Sequence, residues 1–301
     1  VYGALTVFPI ASMAKDHFGK GAGVLAAWLI AFMPAHVTHS TWALADHDAF
    51  VMLFISVGFM YWLRAVKYAG SARISKTTSP HPLSFVRAFH DVAANRQAAL
   101  ANAALAGDAF GIVSLGWKGF VVGPSILFLA YALQVALNMF RRRDSTTLSV
   151  MFLVMLATTF LMALPFYAHP QLNLVFDSTG LQPFLFIFGF TIAIAFVTTG
   201  FRDKPWLLVL GTLTAVAAVF FAVLYVLKTL EISDAWDVLF TGSGYFTKTK
   251  IFGTVAEANA PNRAQLFASF GPITFLLALI MGGGLLWRGL RHRNGTALVF
   301  G

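Results

Sequence analysis

Long apolar runs alternate with short polar stretches along almost the whole chain. Runs of this kind, broken by charged residues, Gly or Pro, are typical of bilayer-crossing helices, each of which needs about 20 apolar residues. The pattern predicts nine helices, the first of them truncated, with room for a tenth from Ala297. Their expected bounds are 1–13, 21–36, 49–66, 97–116, 119–140, 147–167, 183–201, 206–228 and 265–289.

These helices predict an all-α polytopic membrane protein in which 1–301 form a single transmembrane domain. The longest inner connection, 68–96, is predicted to include a short interfacial helix near 84–96. Val1 already stands in an apolar run, without the basic leader and small-residue cleavage site of a signal peptide. We therefore expect the chain to be an internal fragment of a longer protein.

The composition excludes a soluble fold. Hydrophobic residues make up 58% of the chain and charged residues 11%, against about 25% charged in an average soluble domain. The chain has no cysteine, which excludes disulfides, thiolate metal sites and cysteine nucleophiles. A bound metal ion must therefore use oxygen or imidazole ligands.

The basic residues predict how the helices are oriented. If the helices alternate, most of the 21 Lys and Arg residues fall on one side, which the positive-inside rule makes cytoplasmic. The net charge of +9 is spread over several short loops, so nucleic acid is not expected as a partner. The segments 37–48 and 229–263 then share the opposite, outer face. The basic residues outside the cytoplasmic group are Lys118, Lys228, Lys248, Lys250 and Arg263.

The outer segment from His36 to Asp48 combines three histidines with two aspartates. The i, i+2 spacing of Asp46 and Asp48 places both carboxylates on one side of an extended backbone but about 200° apart on a helix. They can converge on a hard cation only where the backbone is not helical. Alternatively, Asp46 is the N-cap of the following helix and Asp48 complements its dipole. Composition and position leave both interpretations open.

The second outer segment contains Glu257, one of only two glutamates in the chain, in the run from Gly253 to Pro261. A single glutamate in a loop is ordinarily solvated. The predicted topology changes this expectation, because it brings Glu257 to the same membrane face as Asp46 and Asp48.

Together these residues resemble the catalytic subunits of oligosaccharyltransferases. The stretch ending in Asp46 and Asp48 resembles that family's second acidic-x-acidic motif, which a Ser-Arg-Ser stretch precedes at the same spacing. His39 stands where the family usually has Arg. The run from Thr254 to Glu257 resembles the family's Thr-Ile-x-Glu motif in its large fifth external loop.

The resemblance implies the C-type glycosyltransferase architecture. It also implies transfer of a preassembled oligosaccharide from a polyprenyl phosphate or diphosphate to Asn of an Asn-x-Ser/Thr sequon. Residues 1–13 are similar to the family's third transmembrane helix, so the resemblance spans essentially the whole chain. The family's first external loop, with another essential Asp, and its C-terminal Trp-Trp-Asp-Tyr-Gly motif would lie outside it. We therefore expect this fragment alone to be inactive.

The resemblance also implies roles for individual residues. Asp46, Asp48 and Glu257 would be catalytic and would bind a Mn²⁺ or Mg²⁺ ion, and Glu257 would also hold the acceptor amide. Thr254 and His39 would bind substrate. The implied partners are a lipid-linked oligosaccharide, an acceptor polypeptide and the lipid bilayer. The implied location is a prokaryotic cell membrane, with the active site on the outer face.

Two rival functions come from other features. A single-sugar polyprenyl-phosphate-dependent glycosyltransferase of the same architecture would lack the loop motif of Thr254 to Glu257. A secondary transporter would use Asp108, because an acid inside the membrane is a functional hypothesis by default. That function predicts broken helices in two matching repeats, and the sequence has no such repeat. Burial against a polar partner is the structural alternative for Asp108.

Overall fold

The computed structural model describes residues 1–40, 48–70, 84–141, 143–168, 181–200, 206–229, 276–284 and 287. These residues are nearly all helical and include no strand, which confirms the all-α prediction. Residues 276–284 are also helical, and a short 3₁₀ helix spans Lys118–Val121. The α-helices are α1 (Tyr2–Phe18), α2 (Lys20–Phe32), α3 (Pro34–Ser40), α4 (Asp48–Gly70), α5 (Ser84–Asn95), α6 (Gln97–Ser114), α7 (Val122–Phe140), α8 (Thr146–Tyr167), α9 (Leu181–Gly200) and α10 (Trp206–Thr229).

Several helices are long and apolar enough to cross a bilayer. Their outward-facing side chains remain apolar although exposed, as at Leu129 and Leu207, which is the surface expected against lipid acyl chains. The protein is therefore a polytopic membrane protein. Within the part of the chain that the structure describes, five segments meet the length and hydropathy needed to span: Asp48–Ala69, Gly119–Phe140, Thr146–Tyr167, Pro183–Gly200 and Trp206–Val223.

The region predicted as one helix over 21–36 is two helices, so this prediction was wrong. α2 ends at Phe32 and α3 begins at Pro34, because Met33 between them is extended, with φ −65° and ψ 121°. Proline disfavours the helical conformation for the residue before it and has no N–H to donate. The apolar pattern runs through this break without a change, so hydropathy alone does not detect it.

The short helix predicted near 84–96 is present as α5, which packs against α6, α8 and α9. Val92 of α5 is buried, whereas Val86 and Phe89 are exposed. One face of α5 therefore lies on the bundle while apolar side chains remain outside it.

α6 lies between α4 and α8 and forms the centre of the bundle. Gly107 and Gly111 have the small-xxx-small spacing that lets two membrane helices approach closely. A Cβ added to Gly111 would lie 3.3 Å from the carbonyl oxygen of Thr159, so the two backbones are nearly in contact. On the other side of α6, Phe110 is fully buried and its ring fills the space left by Gly58 and Gly123.

One end of the bundle, here called the basic end, collects cationic side chains. Arg64 of α4 pairs with Asp16 in the last turn of α1, and Arg96 donates to the carbonyl of Ala69 near the end of α4. The Phe140 ring at the end of α7 packs against the Trp206 ring at the start of α10, with ring centroids 5.2 Å apart. The helix ends that these contacts join are the ones that the sequence predicts to be cytoplasmic. The described basic residues at this end are Lys15, Lys20, Arg64, Lys67, Arg96, Arg141 and Arg143.

Candidate active site

Asp48 is the first residue of α4, at the end of that helix opposite to the basic end. Its carboxylate lies in the first turn, where a negative charge complements the positive end of the helix dipole. This is the position that the capping interpretation requires for Asp48. A carboxylate in a first turn can also bind a cation, so the metal-binding role of Asp48 stays a prediction.

Packing around Phe50 holds the start of α4 in place. The Phe50 ring meets the Tyr2 ring of α1 edge to face, with centroids 5.6 Å apart. A Cβ added to Gly116, in the turn after α6, would lie 3.0 Å from the same ring. The Phe50 ring therefore lies between the start of α1 and the turn after α6, two residues from Asp48.

His36 attaches α3 to this end of the bundle. Because a carbonyl oxygen only accepts, the Nε2–H of His36 donates to the carbonyl of Gly3, at 2.9 Å. His36 is one of the three clustered histidines of the outer segment, and no role was predicted for it. No local signal identifies its partner, since Gly3 lies 33 residues away in the sequence. The hydrogen bond also places the backbone of His39, one turn later in α3, near the start of α1.

An aromatic cluster packs between helices at the end of the bundle where α4 begins. Phe120, in the 3₁₀ helix before α7, is fully buried, and its ring centroid lies 5.7 Å from those of Tyr167 and Phe184. Tyr167 ends α8 and Phe184 lies in the first turn of α9. The end of α8 and the starts of α7 and α9 therefore meet at one level.

α10 returns antiparallel to α9. Phe186 and Phe190 of α9 contact Phe220, with ring centroids 5.4 and 4.5 Å apart. This pairing brings Thr229, the last residue of α10, back towards the level of Asp48. The chain thus enters the 230–263 segment, which contains Glu257, from the same end of the bundle at which α4 begins.

The structure places only part of the predicted site. Asp46, Thr254 and Glu257 lie outside the described residues, and of His39 only the backbone is described. Within the described ranges, no group of three or more His, Asp or Glu side chains is arranged to hold a metal ion. Of the expected ligands only Asp48 falls within those ranges, so the metal site stays a prediction.

Two other acidic residues have distinct environments. Asp144 accepts hydrogen bonds from the backbone N–H and the hydroxyl of Thr146, at 3.0 and 2.6 Å, which fixes the start of α8. Asp108 is half-buried on α6 and makes no hydrogen bond with any residue that the structure describes. The polar partner that was one interpretation of Asp108 is therefore not found in that part of the chain.

Taken together, the helices define an all-α polytopic membrane protein in which an acidic residue begins a spanning helix at the end opposite to a basic cluster. Residues 1–241 match the family described as "Oligosaccharyl transferase STT3, N-terminal". Because this match covers most of the chain, the protein belongs to that family, and the family predicted from the sequence is confirmed.

A curated relative supports the same family. The chain is 28% identical over 183 residues to the "Dolichyl-phosphooligosaccharide-protein glycotransferase 3" of Archaeoglobus fulgidus. The aligned stretch covers 58% of this chain and 18% of the relative. The chain therefore matches only a small part of a much longer protein.

Proposed function

We propose that the protein containing this chain transfers a preassembled oligosaccharide from a polyprenyl phosphate or diphosphate to Asn of an Asn-x-Ser/Thr sequon. The observation that carries the proposal is the position of Asp48. It begins a spanning helix at the end of the bundle at which α10 also ends, where the 229–263 segment begins, in a chain whose family is that of oligosaccharyl transferases. The outer membrane face is the proposed location of this end, because the cations gather at the other one.

Three carboxylates would form the reacting centre. Asp46, Asp48 and Glu257 would hold a Mn²⁺ or Mg²⁺ ion, since carboxylate oxygens suit hard cations. When bound, the ion would stabilise the negative charge that develops on the phosphate leaving group. The packing of Phe50 supports this assignment, because it holds the start of α4, two residues after Asp48, in place.

Glu257 would also position the acceptor. The nitrogen of an Asn amide is a poor nucleophile because its lone pair is delocalised into the carbonyl. A carboxylate that accepts hydrogen bonds from this amide weakens the delocalisation and orients the nitrogen. Thr254 would contact the substrate beside Glu257. His39 would do so from α3 through a donor or protonated imidazole, in place of the family's usual Arg.

The test is glycopeptide formation by the full-length protein, with a lipid-linked oligosaccharide as donor and a sequon peptide as acceptor. Asp48→Asn and Glu257→Gln keep the shape of each side chain and remove its charge, so each should lower turnover by about 100-fold or more. Asp91→Asn and Glu231→Gln are the matched controls, because neither residue belongs to the proposed centre, and both should retain wild-type turnover.

The choice of donor in this assay distinguishes the proposed function from its rival, a single-sugar polyprenyl-phosphate-dependent glycosyltransferase. Transfer of a whole oligosaccharide from its carrier supports the proposal. Transfer only from a single-sugar polyprenyl phosphate would overturn it in favour of the simpler glycosyltransferase. Wild-type turnover in the Glu257→Gln variant would show that Glu257 does not belong to the reacting centre.

A further inference from the structure

A groove of about 380 Å³ runs between α1 and α4. It opens sideways, since Phe8 at its edge is 68% exposed, and it lies beside the spanning segment Asp48–Ala69. Because the groove runs along a spanning segment, we expect it to face lipid acyl chains. Its walls are apolar, formed by Leu5, Phe8 and Pro9 of α1 and by Leu53, Val57 and Met60 of α4.

Arg64 lines the groove where it approaches the basic end. Its Nε–H donates to Oδ2 of Asp16 at 2.8 Å, and its guanidinium carbon lies 5.9 Å from the centre of the Tyr61 ring. These two contacts hold the plane of the guanidinium. Its two terminal nitrogens make no hydrogen bond with any residue in the described part of the chain, so their N–H groups are available to an acceptor in the groove.

The charge around Arg64 favours an anion. Lys67 donates to the backbone carbonyl of Asp16 at 2.9 Å, and Lys15 precedes Asp16 in the last turn of α1. The positive charges of Lys15, Arg64 and Lys67 therefore all act on the carboxylate of Asp16. The cluster is cationic after that carboxylate is counted, and its Arg64 lines the apolar groove.

We propose that this groove binds one acyl chain of an anionic phospholipid whose phosphate accepts hydrogen bonds from Arg64. The apolar walls suit the chain, and guanidinium groups pair with phosphate through two parallel hydrogen bonds. Basic pockets between membrane helices on the cytoplasmic side are known to hold anionic headgroups. Asp16 is a positioning residue, because it orients Arg64 without contacting the lipid.

The test uses the full-length protein, purified in detergent and stripped of lipid. Phosphatidylglycerol or phosphatidylcholine is added back, and bound lipids are counted by native mass spectrometry. One phosphatidylglycerol should remain bound about tenfold more tightly than phosphatidylcholine. Arg64→Gln should abolish this preference, a tenfold effect typical of a hydrogen bond to a charged group. Val57→Trp should prevent both lipids from binding by filling the groove.

Two further variants separate lipid binding from a merely structural ion pair. Arg143→Gln removes an exposed arginine of the basic end that does not line the groove, and it should leave the preference unchanged. Asp16→Asn removes the carboxylate charge but keeps a side-chain oxygen that can accept the Arg64 N–H, so Arg64 stays oriented and charged and the preference should persist. If Arg64→Gln and Asp16→Asn affect thermal stability alike and neither changes the lipid preference, the proposal is wrong. Binding that survives Val57→Trp, or wild-type protein that binds neither lipid, would also overturn it. These outcomes do not depend on glycosyl transfer, so they are distinguishable from a failure of the proposed function.

Discussion

The hydroxyl of Thr159 donates to the carbonyl of Gly107 at 3.1 Å, which joins α8 to α6 where the backbones of the two helices are in close contact. The single hydrogen of this hydroxyl is shared with the carbonyl oxygen of Met155 within α8, which lies 2.9 Å away. Close contact at a glycine and a hydrogen bond between helices are the interactions that associate helices in a bilayer. This contact therefore anchors the core on which α4 and Asp48 are positioned.

Gly107→Ala should destabilise the protein. The new methyl group would collide with the hydroxyl of Thr158 and the backbone carbonyl of Met155, and a backbone cannot move aside cheaply. We expect a loss of about 1–3 kcal/mol, the usual cost of overpacking a core, seen as a lower Tm in detergent. Gly189→Ala is the matched control, because an added Cβ there meets nothing within 4 Å. Equal Tm values for the two variants would show that α6 and α8 are not in close contact.

Asp16→Asn should weaken the junction of α1 and α4 in a pH-dependent way. The hydrogen bond from Arg64 holds the pKa of Asp16 below its usual value, and the charges of Arg64, Lys67 and Lys15 add to this effect, while burial opposes it. A lowered folded-state pKa stabilises the protein above the unfolded pKa of about 4. That stabilisation is lost as the pH falls through the folded-state pKa.

The measurement is the difference in Tm between wild type and Asp16→Asn. At pH 7 it should correspond to about 1 kcal/mol, because both side chains are partly exposed and solvent screens the pair. Below about pH 4 the difference should shrink as Asp16 becomes protonated. A difference that is the same at both pH values would mean that the carboxylate charge of Asp16 does not stabilise this junction.

The two segments proposed to form the active site should be accessible from the same side of the membrane. The chain has no native cysteine, so single cysteines can replace Ser40, Ser243 and, as a control at the basic end, Lys20. An impermeant maleimide added to the outside of intact cells should label the first two positions. It should label the third only after permeabilisation. If only one of Ser40→Cys and Ser243→Cys is labelled, the segments do not share a face.

Asp46→Asn separates helix capping from metal binding. Asn caps helices nearly as well as Asp, so the variant should keep the wild-type Tm. If Asp46 is a metal ligand, the full-length variant should need a higher Mn²⁺ or Mg²⁺ concentration for half-maximal glycopeptide formation. A metal titration that superimposes on that of wild type would leave capping as the role of Asp46.

How well the sequence predicted each helix depends on which physical property sets the bounds of that helix. Spanning helices such as α8 and α10 were located to within a residue or two, because each must be apolar over the thickness of the bilayer. The break at Met33 was missed, since it depends on the backbone restriction imposed by Pro34 and not on hydropathy. The end of α1 was placed too early because Lys15 and Asp16, which are charged, continue the helix to Phe18.

The sequence by itself determined the membrane class, the segregation of charge along the chain and the motifs of Asp46, Asp48 and Glu257, since all three are properties of neighbouring residues and their order. The tertiary structure alone decided which distant residues meet. Asp16 pairs with Arg64 across 48 positions and His36 reaches Gly3 across 33. Such contacts depend on how helices pack, and packing is set by small residues and shapes that become neighbours only after the chain has folded.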